Sequence, residues 1–194
     1  MAMSSGIVEA NKEIARHVIK NSLEDIRAIT MLLDQKLEMQ AISLIYAAID
    51  RLAWLDAEKE ESGSTEYKNW VDTFLFNGEV FNFNADDLWA ARCGNIHTGA
   101  AESRDYRADR ANVIYYHVNT ASISNDKLLA LIRPIAIHIG VPVKKIRLVD
   151  HYWLAARFID SVSRYEDYLI AADVGKLREV QAKSDRQLSF QAVE

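Results

Sequence analysis

Apolar positions recur along most of this chain every three or four residues, the spacing that lines one face of an α-helix. Ile7, Val8, Ile14, Val18 and Ile19 predict a first amphipathic helix over 7–20. Asn21 and Ser22 then offer an N-cap, and Glu24 and Asp25 supply the negative charge that a first helical turn favours. A second helix is expected from there, turning Ile26, Ile29, Leu32, Leu33 and Leu37 inward. Ile42, Ile45, Ile49, Leu52 and Ala53 form the strongest stripe, widened by Leu44, Ala48 and Leu55. A stripe that broad needs burial along its length, which predicts a central helix.

Glu58 to Ser64 is charged and glycine-containing, and reads as a solvated loop. Tyr67, Trp70, Val71, Phe74 and Leu75 restore the helical period, and Asn77-Gly78 marks a turn. Asn84 is placed to cap a helix from Ala85, with Asp86 and Asp87 in its first turn and Gly99 at its end. Val113 to Val118 and Val143 to Leu148 are β-prone, and a small hairpin pairing the two is the expectation. Between them, Lys127 to Ile139 reads as a helix that Pro134 bends or interrupts. A last strong helix follows Asp150, with Trp153, Leu154, Phe158, Val162, Tyr165 and Leu169 on its apolar stripe. The fold class is therefore mainly α: an antiparallel helical bundle with one small hairpin. Residues 1–174 form a single domain in this reading, and 175–194 a polar tail, either helical or disordered.

Composition agrees with the pattern. The chain has 194 residues with only 7 Gly and 2 Pro, which disfavours turn-rich all-β architectures. A net charge of -5 argues against coating nucleic acid by charge alone, although a local basic cleft remains compatible with it. The single Cys93 excludes an intrachain disulfide and a multi-cysteine zinc site. No histidine pair four apart, no phosphate-binding glycine loop and no nucleophile elbow is present, so no metal and no cofactor is expected. The first residues run into a charged helical pattern without an apolar signal core, and no apolar run has membrane-spanning length. The expected location is the cytoplasm.

The candidate chemistry lies in Arg92-Cys93-Gly94-Asn95-Ile96-His97. A guanidinium can hold a phosphate, and an imidazole can move a proton near neutral pH. Spacing alone is unspecific, since Arg110–His117 and Arg133–His138 match it as well. Context separates them. His138 lies among Ile135, Ile137 and Ile139 and reads as core or half-buried, while Arg110 falls in a loop and His117 in a strand. Only Arg92 and His97 sit late in a capped helix, about 140° apart around its axis.

Together with the Ile42–Leu55 stripe, this motif resembles HEPN-domain proteins, small helical bundles of which many are RNA-cutting toxins or defence proteins. Their mark is an Arg, four to six residues, then a His, late in the bundle. The stretch Tyr46-Ala47-Ala48-Ile49-Asp50-Arg51-Leu52-Ala53-Trp54-Leu55 is similar to the long second helix of that family. The resemblance spans roughly residues 22–100. It implies a homodimer whose two motifs meet across the interface, and an RNA substrate cut by its own 2′-OH without a metal. Arg92 would bind the phosphate, and His97 would act as general base or acid. An antitoxin or another protein is the implied partner. One departure is Cys93, where a polar residue often follows the Arg.

Other residues have supporting or bland readings. Asn95 and Thr98 could hydrogen-bond a ribose or orient His97. Asp50, in the middle of a buried-looking helix, either pairs with Arg92, pairs across a dimer, or is simply exposed. Arg104, Arg107, Lys144 and Lys145 could line an RNA groove, with Arg110 and Arg147 beside them. Asp105 and Asp109 interleave the first cluster, which favours a solvated loop instead. Trp54, Trp70, Trp89 and Trp153 read as core, and Tyr115 and Tyr116 as packing. Cys93 reads as a buried structural thiol. The alternative to a nuclease is a catalytically silent bundle that binds a protein or RNA.

Overall fold

The computed structural model describes residues 5–98, 103–117, 124–138 and 140–187. The protein is mainly helical, with a small two-stranded parallel sheet. Its elements are α1 (Ser5–Asp34), α2 (Glu38–Asp56), α3 (Ser64–Trp70), α4 (Ala85–Thr98), α5 (Arg104–Arg107), β1 (Val113–His117), α6 (Asn125–His138), β2 (Ile146–Asp150), α7 (His151–Ala171) and α8 (Val174–Ser184). A π-helical segment, Val71–Phe76, continues α3. None of the helices is long and apolar enough to cross a membrane, among the described residues.

The broad stripe of α2 makes it the centre of the molecule. Ile42, Ile45, Ile49, Leu52 and Leu55 are buried, and α1, α3, α4, α7 and α8 all pack on this helix. Burial of five such side chains contributes on the order of 10 kcal/mol of gross stabilisation, before chain entropy opposes it.

Three expectations are corrected. The cap at Asn21-Ser22 does not form, and α1 runs unbroken through it. Asn21 instead donates its side-chain amide to Gln187 at 2.7 Å, and Ser22 is buried. Keeping the helix whole buries Val18 and Ile19 in the same core as Ile29 and Leu33, which outweighs a local capping preference. The hairpin is not a hairpin either: β1 and β2 are parallel, with Val113 opposite Ile146 and His117 opposite Asp150. Parallel pairing needs a crossover, and α6 supplies it, continuing through Pro134. Both faces of this ribbon are covered. Val113, Ile146 and Leu148 pack with Ala136 of α6, whereas Ile114 and Val149 join the main core. His138, finally, is exposed rather than core or half-buried.

Beyond residue 174 the chain forms α8, with Leu177 and Val180 in the core. Its cations close the open end of α2. Lys183, 3% exposed, donates its ammonium to the carbonyls of Trp54, Ala57 and Lys59. Lys176 donates to the carbonyl of Asp56 at 2.6 Å. Unpaired carbonyls and the negative end of the helix dipole both favour cations at this place. Residues 188–194 of the polar tail lie outside the described residues.

Candidate functional site

Helix α4 is fixed at its start by a reciprocal cap. The Asp87 amide donates to Asn84 Oδ1 at 3.0 Å, and the Asn84 amide donates to Asp87 Oδ2 at 3.2 Å. Asp87 is only 1% exposed, and it also accepts from the backbone and side-chain amides of Asn112, at 2.6 and 3.0 Å. One carboxylate thus ties α4 to the chain entering β1. Sequence reading placed Asp87 in a first turn, but its long-range partner left no local signal.

Two turns further on, Arg92 points at α2. Its Nε donates to Asp50 Oδ2 at 2.7 Å, and its Nη2 lies 2.5 Å from the same oxygen. The guanidinium sits 5.0 Å from the centre of the Trp89 ring. Its Nη1 touches Cys93 Sγ at 3.9 Å, a weak contact with a half-buried thiol. Burial opposes the Arg92 charge, but the hydrogen bond and attraction of Asp50 more than offset it and hold the group above its ordinary value. Of the readings open for Asp50, the structure shows the pair with Arg92.

Asn95 also turns toward α2. Its Oδ1 accepts from Ser43 Oγ at 2.6 Å, so its carbonyl is already engaged. His97 and Thr98 close the last turn of α4, and their side chains lie outside the described residues. Ile96 between them and Asn95 is 39% exposed. The start of α2 and the end of α4 therefore lie side by side at one end of the site.

The basic residues divide. Arg110 pairs with Asp105, and Lys145 pairs with Asp109 at 2.7 Å, which holds the Asp109 carboxyl below its usual range. The second pair brings the two basic clusters of the sequence together. Arg104, Arg107 and Lys144 are exposed and make no ion pair among the described residues. Arg147 spends its guanidinium on the carbonyls of Lys144 and Ile146.

Behind Arg92 lies a group of tyrosines, Tyr46 and Tyr67 buried and Tyr116 partly so, that left no joint signal in the sequence. The Tyr46 and Tyr116 hydroxyls share a hydrogen bond, and the Tyr67 ring packs 5.2 Å from Trp89. Burial pushes all three phenols well up. Of the four tryptophans, Trp70 is buried, while Trp54, Trp89 and Trp153 pack against the core from its margin.

No family model, curated protein or solved structure matches this chain.

Proposed function

We propose that the protein is a metal-independent endoribonuclease of the toxin or phage-defence type, acting as a homodimer. The reading rests on the HEPN resemblance and on one observation: Asp50 on the central helix holds Arg92 on the helix that carries His97. In this reaction the RNA 2′-oxygen attacks the adjacent phosphorus and the bond from phosphorus to the 5′-oxygen breaks. A 2′,3′-cyclic phosphate and a 5′-hydroxyl result. His97 takes the proton from the 2′-OH or delivers one to the leaving oxygen. Arg92 neutralises charge on the phosphate as it builds up. Asp50 is a positioning residue that fixes the guanidinium plane. Two copies would bring two such motifs together.

A second reading has its own support. The Arg92 side chain is only 18% exposed and already satisfied by Asp50 and the Trp89 ring. That arrangement also suits a catalytically silent helical protein that binds a protein or RNA partner.

One experiment separates them: incubation of mixed RNA in excess EDTA with the wild type, Arg92→Ala and His97→Ala. Cleavage by the wild type, with 5′-hydroxyl ends, and its loss in both variants is the expected outcome. No cleavage by a correctly folded wild type moves the conclusion to the silent binder.

A further inference from the structure

Between α3, α4 and α5 the surface opens into a cavity of about 430 Å³, within the size range of small-ligand sites. Lys68, Asp86, Trp89, Arg104, Asp105 and Arg110 contribute to its wall. Its charges cancel in pairs with one exception. Lys68 holds Asp86 at 2.9 Å, and Arg110 holds Asp105. Arg104 is exposed at the cavity, and its guanidinium makes no hydrogen bond or ion pair among the described residues. Among the described residues the cavity therefore carries one guanidinium without a carboxylate, in the same wall as an indole. That indole also carries Arg92, whose guanidinium is 5.0 Å from the ring centre. Trp89 is thus shared by the cavity wall and the surroundings of the Arg92–Asp50 pair.

An aromatic wall beside an unpaired guanidinium suits a flat heteroaromatic base joined to a phosphate. The concave shape admits a base only when it is turned out of a helix, which selects single strands over duplexes. We propose that this cavity binds one unpaired nucleotide of a single-stranded RNA, with its base against Trp89 and its phosphate on Arg104. The choice of RNA rests on the ribonuclease reading above. The cavity then sets which nucleotide flanks the cleaved bond, and Lys68 and Arg110, each held by a carboxylate, leave Arg104 as the phosphate contact.

The test uses a fluorescein-labelled 2′-O-methyl RNA hexamer, which lacks the attacking hydroxyl and is not cut. Its anisotropy is followed with the wild type, Arg104→Glu and Arg27→Glu. Arg27 is 75% exposed on α1 and does not line the cavity, so its variant reproduces the change in net charge elsewhere. Loss of a charged contact to phosphate predicts at least about tenfold weaker binding for Arg104→Glu, and less than about twofold for Arg27→Glu. A duplex of the same sequence should bind more weakly than the single strand. No binding by the wild type, equal loss in both variants, or preference for the duplex overturns the assignment. The two readings fail separately. Binding that depends on Arg104, without cleavage of the unmodified RNA, leaves the cavity and ends the nuclease reading. Cleavage with hexamer binding indifferent to Arg104→Glu ends the cavity assignment alone.

Discussion

Arg92 Nε and Asp50 Oδ2 meet at 2.7 Å across the contact between α4 and α2. With side chains 18% and 26% exposed, the pair is largely withdrawn from water, and removing either partner takes away the opposite charge that the other one faces. A double-mutant cycle of Asp50→Ala and Arg92→Ala should therefore give a coupling of about 1–2 kcal/mol in unfolding free energy. Additive effects would show that the two side chains touch without stabilising each other. Asp50→Asn should keep the fold and lower RNA cleavage, because one neutral amide oxygen orients the guanidinium less firmly than a carboxylate.

A composite site makes a prediction about mixtures. If each site takes Arg92 from one protomer and His97 from the other, an Arg92→Ala and His97→Ala heterodimer retains one intact site. Random re-association of equal amounts then restores about a quarter of wild-type cleavage, since half of the dimers carry one working site of two. Each variant alone should be inactive. Mixtures that stay inactive would place both residues of a working site in the same protomer.

The sequence revealed elements better than it revealed their connections. The Ile42–Leu55 stripe and the Asn84 cap are short-range patterns, and both correspond to what the chain does. Asn21-Ser22 failed as a boundary because one core takes Val18, Ile19, Ile29 and Leu33 together, and Asn21 meets Gln187, which lies 166 residues away in sequence. The direction of the β pair was equally hidden: strand periodicity is the same in parallel and antiparallel ribbons, and only the crossover through α6 decides. In the candidate site, Asp50 opposite Arg92 was one of several open readings, because the partner of a charge on a buried-looking helix is set by packing. The cavity beside Trp89 has no sequence signature at all, since α3, α4 and α5 each contribute only a few positions to it.

Lys183 offers a test of how α8 is held. Its ammonium serves three carbonyls at the end of α2 and lies 5.8 Å from the Trp54 ring. Lys183→Met keeps the packed stem and removes the donor, leaving the buried Ala57 carbonyl and the part-buried carbonyls of Trp54 and Lys59 without it. The expected cost is about 2–4 kcal/mol, read from urea unfolding. A change below about 0.5 kcal/mol, the size of an ordinary surface substitution, would mean that water replaces the ammonium at no loss.

Alkaline pH should weaken the protein through its buried phenols. Tyr46, Tyr67, Tyr116 and Tyr165 are all raised above the ordinary tyrosine value, first by burial. The unfolded chain releases these protons near pH ~10, while the folded chain keeps them. Above that pH the folded state therefore binds more protons than the unfolded one, and stability must fall as pH rises. Below it, this contribution is fully present. Unfolding free energies measured between pH 8 and about 11 should show the decline. The double variant Tyr46→Phe/Tyr116→Phe removes both members of the hydroxyl pair, so neither is left without its partner. Its stability should fall less steeply over the same range. A slope equal to that of the wild type would mean that these two phenols reach solvent before the fold opens.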